Sequence, residues 1–125
     1  MSGAFLSSSQ LGRWAEELAH TYLCGQGLQC IERNYRCQQG EIDLIMQHED
    51  ILVFVEVRYR ALPRYGDGLE SISIHKQQRI VTTAEYYLST HRPAQQYRCR
   101  FDVVAISGKL KNPQLRWISD AFRGE

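Results

Sequence analysis

The stretch that most constrains the fold lies at residues 40–60 and reads GEIDLIMQHEDILVFVEVRYR. Its first half alternates apolar and polar side chains, with the period of a half-buried β-strand. Residues 51–57 are apolar except at Glu56, a pattern typical of a central strand covered on both faces. The polar residues between the two halves predict a turn, so the stretch predicts a β-hairpin. A buried carboxylate at Glu56 is costly unless something pairs with it.

The register of this hairpin suggests a partner for Glu56. A two-residue turn at Glu49 and Asp50 places Asp43 directly opposite Glu56. Such residues share a face of the sheet, with Cβ atoms roughly 4.5–5.5 Å apart. Two carboxylates at that separation repel each other, whereas a hard divalent cation between them makes the arrangement favourable. This register predicts a metal site.

Two alternatives to this metal site stay open. The turn lacks the Asn-Gly or Asp-Gly pair that would fix a two-residue loop, and a change of one residue would move Asp43 away from Glu56. Glu56 can also simply pair with Arg58 or Arg60 at the end of its strand.

Composition predicts one globular domain over residues 1–125, with residues 1–8 as a flexible tail. The net charge of +1 shows no general basic excess, so a nucleic-acid surface requires local clustering. The four cysteines have no CxxC spacing, the N-terminus has no signal-peptide pattern, and the longest apolar run is too short to span a membrane. We therefore expect a cytoplasmic protein without membrane contact, whose cysteines are reduced and buried.

The rest of the chain divides into elements at its turn residues. They are a helix ending near Gly25, a strand at 28–35, a loop at 61–71, a second helix ending at 91–93, strands at 97–106 and 114–118, and a helical turn at 120–122. Ser7 with Gln10 predicts a capping box for the first helix, and Ser71 or Ser73 predicts the cap of the second. The order α-β-β-β-α-β-β predicts an α/β fold with a central mixed β-sheet flanked by helices.

The two predicted helices each direct one charged side chain towards the sheet. Glu16 lies beside the apolar stripe of the first helix, whereas Glu17 lies nearly opposite and is expected in solvent. Lys76 falls on the edge of the buried face of the second helix, in a first turn where the helix dipole disfavours a cation. Glu16 is either a site residue or an ordinary boundary glutamate. Lys76 either extends to water or is held for a purpose.

The order Glu16, Asp43, then Glu56-Val57-Arg58 is that of the PD-(D/E)xK nucleases. Most of the chain also resembles the YraN family of small bacterial proteins, viewed as predicted endonucleases related to archaeal Holliday junction resolvases. The blocks that carry this resemblance are Gly12 with Glu16 and Ala19, Arg33-Asn34, GEIDLI at 40–45, FVEVR at 54–58, Lys76, and RFDVV at 100–104. The resemblance implies a restriction-endonuclease-like core and a metal-dependent nuclease that acts on structured or branched DNA.

The resemblance also implies a ligand set for Mg²⁺ or Mn²⁺. Asp43, Glu56 and the Val57 carbonyl would bind the ion, and Glu16 would act through a water or a second ion. Such an ion polarises the scissile phosphate and lowers the pKa of an attacking water. Arg58 stands where the motif usually has lysine, and arginine can clamp a phosphate but cannot act as a base.

The cation that the motif lacks has two candidate sources. Either Lys76 projects towards the carboxylates and supplies it, or Arg58 alone serves. Further DNA contacts are expected from Arg33, Arg36, Arg60 and Arg64, interleaved with Tyr35, Tyr59 and Tyr65. Arginines position phosphates and tyrosines stack on unpaired bases. A solvated sheet edge is the alternative for this surface.

Three functions therefore stay open: a metal-dependent nuclease, a nucleic-acid-binding module that cleaves weakly or not at all, and an interaction subunit of a DNA-processing or DNA-transport assembly. Cutting a branched substrate on two strands needs two active sites, so a homodimer is a possible assembly. No GxGxxG, GxxxxGK[ST], GxSxG or HExxH motif supports another enzyme class.

Overall fold

The computed structural model describes residues 6–60, 72–91, 93 and 96–124. Its elements are α1 (Ser8–Gly25), β1 (Gln29–Cys37), β2 (Gly40–His48), β3 (Ile51–Arg60), α2 (Ile74–Thr90), β4 (Arg98–Lys109) and β5 (Asn112–Phe122). This order and the single mixed sheet confirm the predicted α/β fold class. The predicted loop at 61–71, with Arg64 and Ser71, lies outside the described residues, as do the first five residues of the predicted tail.

The five strands form one sheet in the order β1-β2-β3-β4-β5. Neighbouring strands are antiparallel except β3 and β4, which run parallel. A parallel pair needs a long crossover connection, and α2 lies within this one. The strand that carries Glu56 is therefore the centre of the sheet.

Both faces of β3 are covered, which explains its unbroken apolar run. Val53 and Val55 belong to the core cluster that includes Ala15 and Ala19 of α1. Leu52 and Phe54 belong to the cluster on the opposite face, together with Ile80, Ala84 and Tyr87 of α2. Because side chains alternate along a strand, Glu56 continues the face of Phe54, under α2.

The capping residues and the hairpin turn agree with the sequence. Ser7 and Gln10 form the predicted capping box of α1, and Ser73 caps α2. The hairpin has the two-residue turn, with His48 opposite Ile51. Glu49 adopts a φ of +57°, the left-handed conformation that tight hairpin turns demand and that Asn or Gly usually supplies.

The prediction of a helical turn at residues 120–122 is wrong, because β5 continues to Phe122. The cause is the fully buried carboxylate of Asp102 on β4. Asp102 accepts hydrogen bonds from the Asp120 amide at 2.9 Å and from the Trp117 indole at 2.9 Å, and it pairs with the Arg100 guanidinium at 3.0 Å. These contacts hold the end of β5 against β4, so the RFDVV block has a structural role.

The expectation that the cysteines are buried is also wrong. All four are free thiols, with Cys24 and Cys99 exposed and the other two partly buried. Neither described helix is long and apolar enough to cross a membrane.

Candidate active site

The candidate site lies where β2 and β3 separate. Their pairing ends at Leu44 opposite Val55, although both strands continue beyond that point. In the opening, Oδ2 of Asp43 accepts a hydrogen bond from the Val57 amide at 2.8 Å. A side-chain carboxylate thus takes the place of a main-chain acceptor, which holds Asp43 beside β3.

Asp43 and Glu56 lie where the pairing of the hairpin ends. Ile45 pairs with Phe54, and both belong to the cluster under α2. Asp43 and Glu56 come one step beyond the paired region. Regular alternation would continue that face with both, but Ile42 also belongs to this cluster, so the alternation of β2 is interrupted between Ile42 and Ile45. The two carboxylates are close enough for Glu56 to raise the pKa of Asp43. That both bind one ion stays a prediction.

The Val57 carbonyl points to the same opening. In a strand the amide and carbonyl of one residue point to the same neighbouring strand. Since the Val57 amide donates to Asp43, the carbonyl is directed to the side of Asp43 as well.

Crowding of acids perturbs the Asp43 carboxyl strongly. Burial, then repulsion from Glu56, raises its pKa from 3.8 to about 8, with smaller contributions from Glu16 and Glu41. The hydrogen bond from Val57 opposes this shift without cancelling it. At neutral pH the Asp43 carboxyl therefore holds a proton unless a cation compensates its charge.

Three of these acids could share one ion. One carboxylate oxygen each from Glu16, Glu41 and Asp43 lies within 4.8 Å of the others. Glu16 reaches the sheet from α1, whose buried Ala15 and Ala19 have side chains small enough to allow close packing. Sequence reasoning did not select Glu41, although it lies only two residues before Asp43.

Glu56 is buried and has two cationic partners. Its Oε2 lies 3.4 Å from Nζ of Lys76 and 3.5 Å from Nη1 of Arg58. Burial raises the pKa of Glu56 above its ordinary value, and the charges of Lys76 and Arg58 offset only part of this rise. The pairing with Arg58, proposed as the simpler alternative, is therefore present, but it exists together with an ionic contact from α2.

The fold of α2 explains where Lys76 points. The Ser73 hydroxyl accepts a hydrogen bond from the Lys76 amide at 3.0 Å, which fixes the first turn. Lys76 lies four residues before the buried Ile80, so the two share one helix face. Its side chain is 44% exposed, so the ammonium lies at the rim of the opening with one side towards solvent. Whether Lys76 acts in catalysis stays a prediction.

The predicted phosphate-binding arginines of β1 are paired with acids. Arg33 contacts Glu17 at 2.8 Å and thereby lowers the pKa of that carboxylate, so Glu17 is exposed but not merely solvated. Arg36 lies 3.5 Å from Glu41, its cross-strand neighbour. The Arg36 pair is open to solvent, and exposed pairs contribute at most about 1 kcal/mol, so a phosphate can replace Glu41. Binding of DNA by either arginine stays a prediction.

Arg60 is the last residue of β3. It follows Glu56 and Arg58 at alternate positions, which places all three on one strand face. Its contact with DNA stays a prediction, and Arg64 lies outside the described residues.

Tyr35 and Tyr59 do not form the expected stacking surface. Tyr35 is buried, with its ring edge-on to Tyr87. The hydroxyl of Tyr59 donates a hydrogen bond to the Gly108 carbonyl at 2.9 Å, and its ring is partly buried. Tyr65 lies outside the described residues. Two of the three rings are therefore part of the packed interior.

Comparison with known proteins identifies the family. The family model described as "Uncharacterised protein family UPF0102" matches residues 15–106. This chain belongs to the UPF0102 family. The match confirms the family resemblance drawn from the sequence. The matched range contains Glu16, Asp43, Glu56, Arg58 and Lys76.

Curated UPF0102 relatives match nearly the whole chain. A UPF0102 protein of Nitrosococcus oceani is 47% identical over 91% of this chain and 92% of its own length. One of Stutzerimonas stutzeri is 44% identical over 92% of this chain and 96% of its own. A solved structure, "The structure of Pyrococcus Furiosus SfsA in complex with Ca2+", is similar with a TM-score of 0.40 at 12% identity. That similarity covers 93% of this chain and 65% of the solved chain.

Proposed function

We propose that this UPF0102 protein is a metal-dependent nuclease that hydrolyses phosphodiester bonds in structured or branched DNA, with Mg²⁺ or Mn²⁺ as its ion. The observation that carries the proposal is the convergence of Glu16, Glu41 and Asp43, with Glu56 close enough to raise the pKa of Asp43. Acids this close together destabilise a fold by mutual repulsion, and strongly perturbed carboxyls are typical of functional sites.

The residues at this opening fit a hard divalent cation. Mg²⁺ and Mn²⁺ prefer oxygen ligands, and the opening offers carboxylates together with the Val57 carbonyl. Asp43, Glu56 and Val57 would hold the ion, with Glu16 and Glu41 as further ligands or as partners of its waters. When bound, the ion would polarise the scissile phosphate and lower the pKa of an attacking water.

Lys76 and Arg58 supply fixed positive charge beside that opening. Both contact Oε2 of Glu56, so the buried carboxylate positions the two cations. A phosphate that approaches the rim would meet the partly exposed Lys76 ammonium and the Arg58 guanidinium. Charges placed in advance in this way stabilise the negative charge that develops on a phosphate during hydrolysis.

One observation favours a second candidate, a nucleic-acid-binding module that cleaves weakly or not at all. Arg58 keeps its proton at any ordinary pH and cannot serve as the base that a motif lysine could provide. The water would then depend on the ion alone for its activation.

Location and assembly are part of the same proposal. Four free thiols, two of them exposed, are typical of a reducing compartment such as the cytoplasm. A homodimer would supply the two active sites that a branched DNA substrate requires.

A cleavage screen tests the proposal. Duplex, single-stranded, flapped and four-way DNA are incubated with the protein and Mn²⁺, and with EDTA as the metal-free reaction. We expect Mn²⁺-dependent cleavage that falls by about 10²-fold or more in Asp43→Ala, the scale for losing one essential charge stabiliser. The matched control is Asp50→Ala, because Asp50 is an exposed carboxylate in the turn of the same hairpin.

Two results would contradict the proposal. Cleavage that is equal in wild type and Asp43→Ala would place the activity elsewhere or in a contaminant. DNA binding without Mn²⁺-dependent cleavage of any of the four substrates would favour the second candidate.

A further inference from the structure

A second concave surface lies next to the carboxylates, between α2 and the turn that joins β1 to β2. It is a shallow, open cleft of about 260 Å³ lined by Gln39, His75, Gln78, Arg79 and Thr82. Four of these residues lie on α2 at the spacing of one helix face. The fifth comes from the turn, so the cleft has two walls.

Gly40 brings the two walls together. A Cβ at this position would lie 2.8 Å from Oγ1 of the buried Thr83, closer than real Cβ atoms approach. The same Cβ would lie 3.8 Å from the Arg79 guanidinium. Only a glycine allows this approach, and it places Gln39 opposite the exposed face of α2.

Each wall of the cleft is a neighbour of the candidate active site along its own element. Gly40 directly precedes Glu41, one of the three converging acids. On the other wall, Arg79 follows Lys76 by three residues, and residues at that spacing are neighbours on a helix surface. A DNA strand that lies in the cleft would therefore contact elements that also carry Lys76 and Glu41.

The chemistry of the lining selects an anion. Each of the five side chains carries a hydrogen-bond donor, one has a permanent positive charge, and none is a carboxylate among the residues that the structure describes. This contrasts with the acidic opening beside it. Amides, hydroxyls, histidine and arginine are the side chains that commonly contact the sugar-phosphate backbone of DNA.

We infer that this cleft binds the sugar-phosphate backbone of the DNA substrate and guides it from the outer face of α2 to the carboxylates. The inference rests on the proposed function, because it takes DNA as the ligand of the adjacent site. The size of the cleft supports an extended ligand. It is smaller than the roughly 300–1,000 Å³ of small-molecule pockets, and it is open to solvent.

A binding experiment with one matched pair of variants tests the inference. Gln78→Glu puts a carboxylate in the cleft, whereas Gln114→Glu makes the same change at an exposed position of β5, at the other edge of the sheet. Affinity for fluorescent duplex and four-way DNA is measured by anisotropy, with Ca²⁺ in place of Mn²⁺ to limit turnover. Melting curves verify that both variants fold.

We expect Gln78→Glu to weaken DNA binding by about tenfold, because a carboxylate would face a phosphate a few ångströms away. Gln114→Glu should stay within about twofold of wild type, since distant exposed charges are screened by salt. Arg79→Gln should also lower the slope of log Kd against log salt by about 0.9, the loss of one phosphate contact on duplex DNA.

Several outcomes would overturn the inference. They are an unchanged affinity in Gln78→Glu, an equal loss in Gln114→Glu, and an absence of DNA binding by the wild type. The failure of the proposed function is distinguishable. DNA that is bound through the cleft but not cleaved refutes the nuclease alone, and DNA that is cleaved by a Gln78→Glu protein of normal affinity refutes the cleft alone.

Discussion

Replacing Asp43 with Asn should stabilise the metal-free protein at neutral pH. The ordinary pKa of this carboxyl is 3.8, and burial beside other acids raises it to about 8 in the native state. Between these two pH values the unfolded chain has lost the proton while the native state keeps it. The native state therefore binds more protons, and stability falls as pH rises from about 4 to about 8.

The size of the effect follows from the same two pKa values. At about 1.4 kcal/mol per pH unit, ionisation of the unfolded chain sets an upper limit of about 4 kcal/mol at pH 7. Local relaxation and residual structure in the unfolded chain reduce this, so we expect Asp43→Asn to gain about 1–2 kcal/mol. That gain is about 4–8 °C in Tm for a domain of this size. The amide oxygen of Asn can still accept the hydrogen bond from Val57.

The assay is urea or thermal unfolding in EDTA from pH 4.5 to 8.5. The wild-type and Asp43→Asn curves should converge near pH 4 and diverge towards pH 8. Added Mn²⁺ should reverse the order, because an ion that binds only the native wild type stabilises it by mass action. Asp50→Asn, in the exposed turn, should follow wild type throughout. Parallel pH curves, or a variant less stable than wild type at pH 8, would refute the reasoning.

The remaining predictions concern single side chains. Lys76→Ala should lower Mn²⁺-dependent cleavage by about 10²-fold while Arg58→Lys is tolerated, and a silent Lys76→Ala with an impaired Arg58→Lys would assign the role to Arg58. Arg36→Gln and Arg60→Gln should each weaken duplex DNA binding for all sequences and lower the salt slope by about 0.9, which anisotropy measures. Asp102→Asn should cost about 2–3 kcal/mol in urea unfolding without changing Mn²⁺ binding, because an amide cannot satisfy every donor around Asp102. An unchanged midpoint would contradict the anchoring role of that carboxylate.

The fold was predictable because its local signals agree with one another. The capping box at Ser7, the glycine stop at Gly25 and the two periods of the hairpin each specify an element without reference to the rest of the chain. The end of β5 was not predictable in this way. Its extended conformation depends on contacts between Asp120 and Asp102, which are 18 residues apart.

The site was predictable to the extent that it depends on strand register. The register brings Asp43 and Glu56 to the point where the pairing ends, and the helical wheel directs Glu16 and Lys76 towards the sheet. Glu41 was missed because an acid at a strand end normally faces solvent, and its approach to Glu16 depends on how closely α1 packs on the sheet. The cleft beside α2 was missed for a similar reason, since it exists only through the close packing of Gly40 on α2.

The packing of Tyr35 and Tyr59 against the helices was not predictable from the sequence for the same reason. Interleaving with arginine indicates a nucleic-acid surface, but tyrosine carries a large apolar ring that also packs well in a core. Their burial against α2 and α1 depends on tertiary contacts that the local pattern does not contain.

The most direct test of the central claim is anomalous diffraction from crystals soaked in Mn²⁺. The account predicts one strong peak in the opening between β2 and β3, at about 2.2 Å from carboxylate oxygens of Asp43 and Glu56. The peak should be absent from Asp43→Asn crystals grown and soaked in the same way. A wild-type opening without a peak at saturating Mn²⁺, or a peak only at acids elsewhere on the surface, would contradict the claim that these carboxylates form a metal site.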